Sequence, residues 1–232
     1  MNNFNLHKDM LLMVARALGP ELLEKVAFVG GSTTGLLVTD VMTKELIRYT
    51  DDVDLIISVV GYTGWHNFVE QLKPHGFKES MEDEVICRLR LGELKVDFMP
   101  DDPDILGFEN RWYKEAFKHA VDYKLTPGIT IKLLTAPYFV ATKLEAYKGR
   151  GNNDVLTSHD IEDILNLFDG REELIDEIKN SSAELKNYLA QELATLLKNR
   201  DINSAVQSTA RGDSGRQELI FERLEKIAGL LH

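Results

Sequence analysis

Arg48-Tyr49-Thr50-Asp51-Asp52-Val53-Asp54-Leu55-Ile56-Ile57 opens an apolar run with carboxylates at i and i+2. Val53, Leu55, Ile56 and Ile57 form the kind of run that makes a buried strand, and a strand sends alternate side chains to one face. Asp52 and Asp54 therefore point together. Two carboxylates a few ångströms apart repel, so the pair needs a cation, a shared proton or solvent, and a divalent metal is the economical answer. Upstream, Val26-Ala27-Phe28-Val29 is a short strand candidate that Gly30-Gly31-Ser32 turns into the segment Thr33 to Val38. Glycine there lets the backbone approach a ligand closely. The N–H groups of a following helix start, with the Ser32 hydroxyl, would hold a phosphate. Gly-Gly-Ser alone is shared by many tight turns, and its weight comes from the pairing with Asp52 and Asp54. Leu94-Lys95-Val96-Asp97-Phe98-Met99-Pro100 is a further β-type segment with one acid among apolar residues. Such an acid is costly unless paired or placed at a site edge, so Asp97 is the third candidate carboxylate.

The surrounding elements have to position these groups. His7 to Leu18 carries Met10, Leu11, Val14, Ala15 and Leu18 at helical spacing and stops at Gly19-Pro20. Trp65 to Leu72 reads as a helix broken by Pro74-His75-Gly76. Val85, Cys87, Leu89 and Leu91 alternate with Ile86, Arg88 and Arg90, which predicts a half-buried strand joined by a tight Gly92-Glu93 link to the strand bearing Asp97. Pro103 to Thr126 reads as loop plus helix, and Ile129 to Leu133 as a short strand. These elements predict an α+β fold, with a mixed β-sheet flanked by helices over residues 1–133 and a helical C-terminal region over residues 134–232.

In that second region Pro137 suits a first helical turn, and Phe139, Lys143, Ala146, Tyr147 and Arg150 share one stripe. A lysine inside an apolar stripe either snorkels to water or serves a site. Gly149 to Asp154 reads as a turn, with Ser158 as N-cap of a helix to Phe168. Asp160 and Glu162 in its first turn are favoured by the helix dipole whatever else they do. Ser181 to Lys198 and Gly215 to Leu231 read as amphipathic helices separated by a polar connector, Arg200 to Asp213.

The chain has 232 residues, 44% hydrophobic and 28% charged, enough for one sizeable domain or two small ones. Its single cysteine, Cys87, excludes an internal disulfide and a cysteine-rich zinc site. No apolar run approaches the roughly 20 residues of a membrane span, and the first residues lack a signal-peptide pattern, so the expectation is a cytoplasmic protein without a membrane partner. The net charge of −11 argues against broad nucleic-acid binding. Local basic clusters remain, one of Lys143, Lys148 and Arg150 and one of Arg111, Lys114, Lys118 and Lys124.

In order, Gly31-Ser32, Asp52, Asp54 and Asp97 resemble the nucleotidyltransferase superfamily pattern of Gly-Ser, Asp-x-Asp and a later Asp on a neighbouring strand. The Arg-x-Thr-x-Asp-x-Asp-Leu form, Lys143-Leu144-Glu145-Ala146 and Ser158-His159-Asp160-Ile161-Glu162-Asp163 are similar to its abortive-infection, AbiEii/AbiGii toxin-like branch. His159 stands where that branch often has a basic residue. The resemblance implies a nucleotidyltransferase-like sheet and a nucleoside triphosphate donor bound at Gly30, Gly31, Ser32 and Lys143. It also implies two magnesium ions held by Asp52 and Asp54, with Asp97 as metal ligand or base and Asp160 completing a second motif. It further implies an RNA or tRNA 3′ end as acceptor and an antitoxin protein as partner. Transfer to a protein or a small molecule, a regulatory nucleotide-binding role without turnover, and metal-dependent phosphodiester hydrolysis are the alternatives.

Overall fold

β-Branched and aromatic runs between glycine turns become strands, and runs with helical spacing become helices. The computed structural model describes residues 2–83, 85–102, 105, 110–150 and 154–230. In chain order it runs α1 (Asn3–Leu23), β1 (Val26–Val29), a 3-10 turn (Gly31–Thr33), α2 (Thr34–Leu37), α3 (Val41–Leu46) and β2 (Asp52–Ile57). Then follow α4 (Gly61–Leu72), a second 3-10 turn (Lys73–His75), β3 (Phe77–Lys78), β4 (Arg88–Leu91), β5 (Leu94–Pro100), α5 (Tyr113–Lys118), β6 (Val121–Thr126) and β7 (Ile129–Leu133). The rest is helical: α6 (Ala136–Arg150), α7 (His159–Gly170), α8 (Leu174–Lys179), α9 (Ala183–Leu196), α10 (Ile202–Thr209) and α11 (Ser214–Ala228). The class is α+β, as the sequence predicts. Among the described residues no helix is long and apolar enough to cross a membrane.

The chain divides into two compact units, one of residues up to Thr33 with Tyr49–Thr135, the other of Thr34–Arg48 with everything from Ala136 on. The first holds a seven-stranded mixed sheet in the order β3-β4-β5-β2-β1-β7-β6. β2 and β5 run parallel side by side, while β1 and β4 pair antiparallel to them on either flank. The apolar face sets this register. Val53, Leu55, Val96 and Phe98 are fully buried, with Val53 beside Val96 and Leu55 beside Phe98. The Phe98 ring meets Phe68 edge-on at 5.6 Å and Phe77 at 5.3 Å. Because strand side chains alternate, burying that face commits Asp52, Asp54 and Asp97 to the other.

The second unit takes in the segment Thr34–Arg48, which a simple division near residue 133 had placed with the sheet. Its backbone explains why: the N–H groups of Thr39 and Asp40 both donate to the Gly170 carbonyl at 2.8 Å. Arg171 donates to the Leu37 carbonyl at 2.6 Å, and Thr43 Oγ1 donates to Asp169 at 2.9 Å. A side chain at Gly170 would meet Thr43 and Val38 at 2.7 Å, so only glycine admits this approach. Arg216 pairs with Asp169, and Arg223 caps the end of α7 by donating to the Phe168 and Asp169 carbonyls at 2.7 and 2.8 Å.

Several expected boundaries shift. Gly19 (φ 68°) does break the first helix, but Pro20 restarts it to Leu23. The strand expected from Val85 starts only at Arg88, and Val85 and Ile86 are exposed. The segment after α5 forms the strand β6, whose charged residues hid a ladder with β7. The polar connector Arg200 to Asp213 contains α10, which buries only Ile202, Ala205 and Val206. The expected helix Gly215 to Leu231 runs Ser214–Ala228. Leu231, Gly151 to Asn153, and parts of the loop expected from Pro103 lie outside the described residues.

Candidate metal centre

Asp54 and Asp97 face each other across the parallel β2–β5 pair, and Asp52 lies two residues along β2 on the same face. One carboxylate oxygen from each of the three comes within 4.8 Å of the others. The Asp52 and Asp54 side chains are partly exposed while Asp97 is buried, so the cluster opens on the Asp52–Asp54 side. Hard carboxylate oxygens at this separation suit magnesium or manganese. Thr50 donates its hydroxyl to Asp52, and its own N–H donates to the buried His7 ring at 3.1 Å. His7, Thr50 and Asp52 therefore form a chain of contacts that sets the first carboxylate.

Gly30 makes the closest backbone approach. Its φ is +79°, and a Cβ there would fall 1.7 Å from Asp54 Oδ2. Glycine thus serves twice, supplying a left-handed turn after β1 and leaving room for the carboxylate. The following 3-10 turn buries Ser32 at 1% exposure, and its hydroxyl has no hydrogen-bond partner. A buried unpartnered hydroxyl costs roughly 1–3 kcal/mol, which a bound oxyanion would relieve. Gly30→Ala is expected to destabilise the chain by about 1–3 kcal/mol through backbone strain. It should also weaken Mn2+ binding, because Asp54 must move. Thermal unfolding and Mn2+ titration check both effects, and unchanged Mn2+ binding would show that Gly30 does not set Asp54.

Arg88 is the site residue that motif reading passed over. It lies directly across the β4–β5 hairpin from Asp97 and donates to both its oxygens, at 2.7 and 2.8 Å. Its Nη2 is also 3.7 Å from Asp52 Oδ2. Hydrogen bonding to Asp97 holds this guanidinium further above its ordinary value despite partial burial. Beside it, the buried Cys87 thiol is pushed up to about 12 by burial, with the Asp97 and Asp54 charges adding, so it is an inert core residue.

Lys143 and Asp160 belong to the second unit, where they form part of an ion-pair lattice. Lys143 Nζ lies 3.1 Å from Asp160 and 2.7 Å from Asp163, all three buried. Arg48 grips Asp163 through Nε and Nη2 at 3.0 and 2.9 Å, and Arg150 grips Asp160 twice at 3.1 Å. Arg48, in the segment leading into β2, thereby ties α3's trailing end to α7. Lys148 is likewise engaged, by Glu145 at 3.3 Å and Glu192 at 2.8 Å. The expected basic cluster of Lys143, Lys148 and Arg150 is therefore matched by local carboxylates. His159, in the second motif, is exposed and sits 3.6 Å from Glu162.

Burial alone would lower the Lys143 value, but Asp163 and Asp160 outweigh it and hold Lys143 above its ordinary 10.5. Burial alone would raise Asp160, but Lys143 and Arg150 hold it below its ordinary 3.8. The lattice contribution from Asp160 is thus complete above pH 3.8 and fades as pH falls through its lower folded value. That from Lys143 is complete below pH 10.5 and fades as pH rises through its higher folded value. Urea midpoints of the helical signal should show a constant gap between wild type and Asp160→Asn from about pH 5 to 9, narrowing in acid. A gap that widens in acid would contradict this assignment.

A comparison with protein-family models gives no match for this chain, and neither does a comparison with curated proteins.

Proposed function

We propose that the chain is a metal-dependent nucleotidyltransferase that moves a nucleoside monophosphate from a nucleoside triphosphate to a hydroxyl acceptor. The observation that carries this reading is the convergence of Asp52, Asp54 and Asp97 on one sheet face with the Gly30 turn against Asp54. A divalent cation held there would lower the charge on the attacking and departing oxygens of an in-line displacement. Asp52 and Asp54, on the open side, would hold that cation. Gly30, Gly31 and Ser32 receive the terminal phosphates, and the orphaned Ser32 hydroxyl donates to one of their oxygens. Asp97, tied to Arg88, sets the rear wall. An RNA 3′ end is the acceptor the motif resemblance favours, and the cytoplasm is the compartment that suits such a substrate.

Lys143 and Asp160 enter this proposal as the struts that hold α6, α7 and the segment before Tyr49 together, because both are consumed by the buried lattice. The test is transfer of label from each α-labelled nucleoside triphosphate, with magnesium, to total RNA and to total protein, beside Asp52→Asn. Label entering one pool only with intact Asp52 supports the reading and names the acceptor class. Label entering neither pool, while triphosphate still binds, favours a small-molecule acceptor or a regulatory nucleotide-binding role.

A further inference from the structure

The carboxylate face already contains a cation. Arg88 projects from β4 into the cluster, takes both oxygens of Asp97 and reaches within 3.7 Å of Asp52. It bridges the first and third carboxylates, and so neutralises charge that a second divalent ion would otherwise neutralise. Its side chain is 18% exposed, its strand is paired to β5 at four successive positions, and its charge persists at every accessible pH. Arg88 is therefore a fixed part of the site.

We infer that Arg88 stands in for one of two metal ions, so that the centre takes a single divalent cation, on Asp52 and Asp54, while Asp97 is reserved for the guanidinium. This rests on the metal-centre reading above. Charge balance in the nucleotide-free site supports it: three carboxylates with one guanidinium and one dication sum to zero, whereas two dications without a triphosphate would leave an excess of two positive charges. Geometry agrees, since a dication bound to Asp97 would lie against a fixed guanidinium in a partly desolvated site. Repulsion between such charges at about 4 Å weakens binding by at least about tenfold, even with water-like screening. Asp97 then acts through Arg88 as a positioning residue, and Arg88 carries part of the charge neutralisation that a second ion would supply.

The test is a titration of the full chain with Mn2+, following free Mn2+ by electron paramagnetic resonance, with no nucleotide present. Wild type is expected to bind one Mn2+ per chain, and Asp52→Asn should lose it. Arg88→Gln should bind a second Mn2+ or hold the first about tenfold more tightly, whereas Arg88→Lys, which keeps the charge, should stay at one. Circular dichroism establishes that each variant is folded, and the wild-type stoichiometry tests the inference even if Arg88→Gln is not. Two Mn2+ per wild-type chain would overturn the inference and leave the metal-centre reading standing. One Mn2+ with unchanged affinity in folded Arg88→Gln would also overturn it. No Mn2+ sensitive to Asp52 would overturn both.

Discussion

Asn in place of Asp52 or Asp54 is expected to reduce nucleotidyl transfer by about a thousandfold or more, the several kcal/mol of metal-borne charge stabilisation expressed at ~1.4 kcal/mol per decade. The amide keeps the shape of the carboxylate but not its charge, and both side chains are partly open to solvent, so the fold should survive. Asp97→Asn should behave differently. Asp97 is 8% exposed and accepts two hydrogen bonds from Arg88, so this change leaves a half-buried guanidinium without its principal partner. Activity and stability should fall together there, whereas Asp52→Asn and Asp54→Asn should lose activity at nearly constant unfolding temperature. Label transfer and thermal unfolding on the same three variants separate the two patterns. Transfer that persists in either Asp52→Asn or Asp54→Asn would sink the metal assignment.

The part of this site that was legible in the sequence follows from strand periodicity. A period of two puts Asp52 and Asp54 on one face, and the apolar neighbours of Asp97 put it on a strand as well. That β2 and β5 are adjacent and in register does not follow from either segment alone, because parallel pairing is a long-range choice made by Val53, Leu55, Val96 and Phe98 in the core. Arg88 was within reach. Counting outward from the Gly92-Glu93 link pairs Leu91 with Leu94 and so Arg88 with Asp97. The alternation was visible, but its charged members read as a solvated face rather than as partners for the acid opposite. The Arg48–Asp163 pair spans 115 positions and depends on the Thr34–Arg48 segment joining the helical unit, which no local pattern encodes. Lys143 stands out in the sequence as a lysine in an apolar stripe. Explaining it requires knowing that Asp160 and Asp163, one helical turn apart on α7, both turn toward it.

Asp163 is the member of the ion-pair lattice whose loss should cost the fold most. It is 1% exposed and accepts three close contacts, from Arg48 at 3.0 and 2.9 Å and from Lys143 at 2.7 Å. Asp163→Ala would leave Lys143 with Asp160 alone, a carboxylate that Arg150 already shares, and would strip Arg48 of its bidentate partner. Removing one member of a buried ion pair destabilises by about 3–5 kcal/mol, because the remaining charge stays desolvated. For a chain of this size that is a drop of about 10 °C in the unfolding temperature. Arg150→Ala supplies the contrast. Its side chain is 73% exposed, so the same lattice seen from its outer end should lose no more than about 1 kcal/mol. The asymmetry between inner and outer members is the signature of a buried lattice, and circular dichroism melts of the two variants read it directly. Equal and small shifts would mean that Lys143 and Arg48 reach water when Asp163 is removed. If Asp163→Ala is costly, the double change Asp163→Leu with Lys143→Met should recover the part of the loss that belongs to Lys143, since an apolar pair of similar volume replaces a buried ion pair at little net cost. If the double variant is instead as unstable as Asp163→Ala, Arg48 is the cation that Asp163 chiefly serves, and the join between the Thr34–Arg48 segment and α7 is what the carboxylate protects.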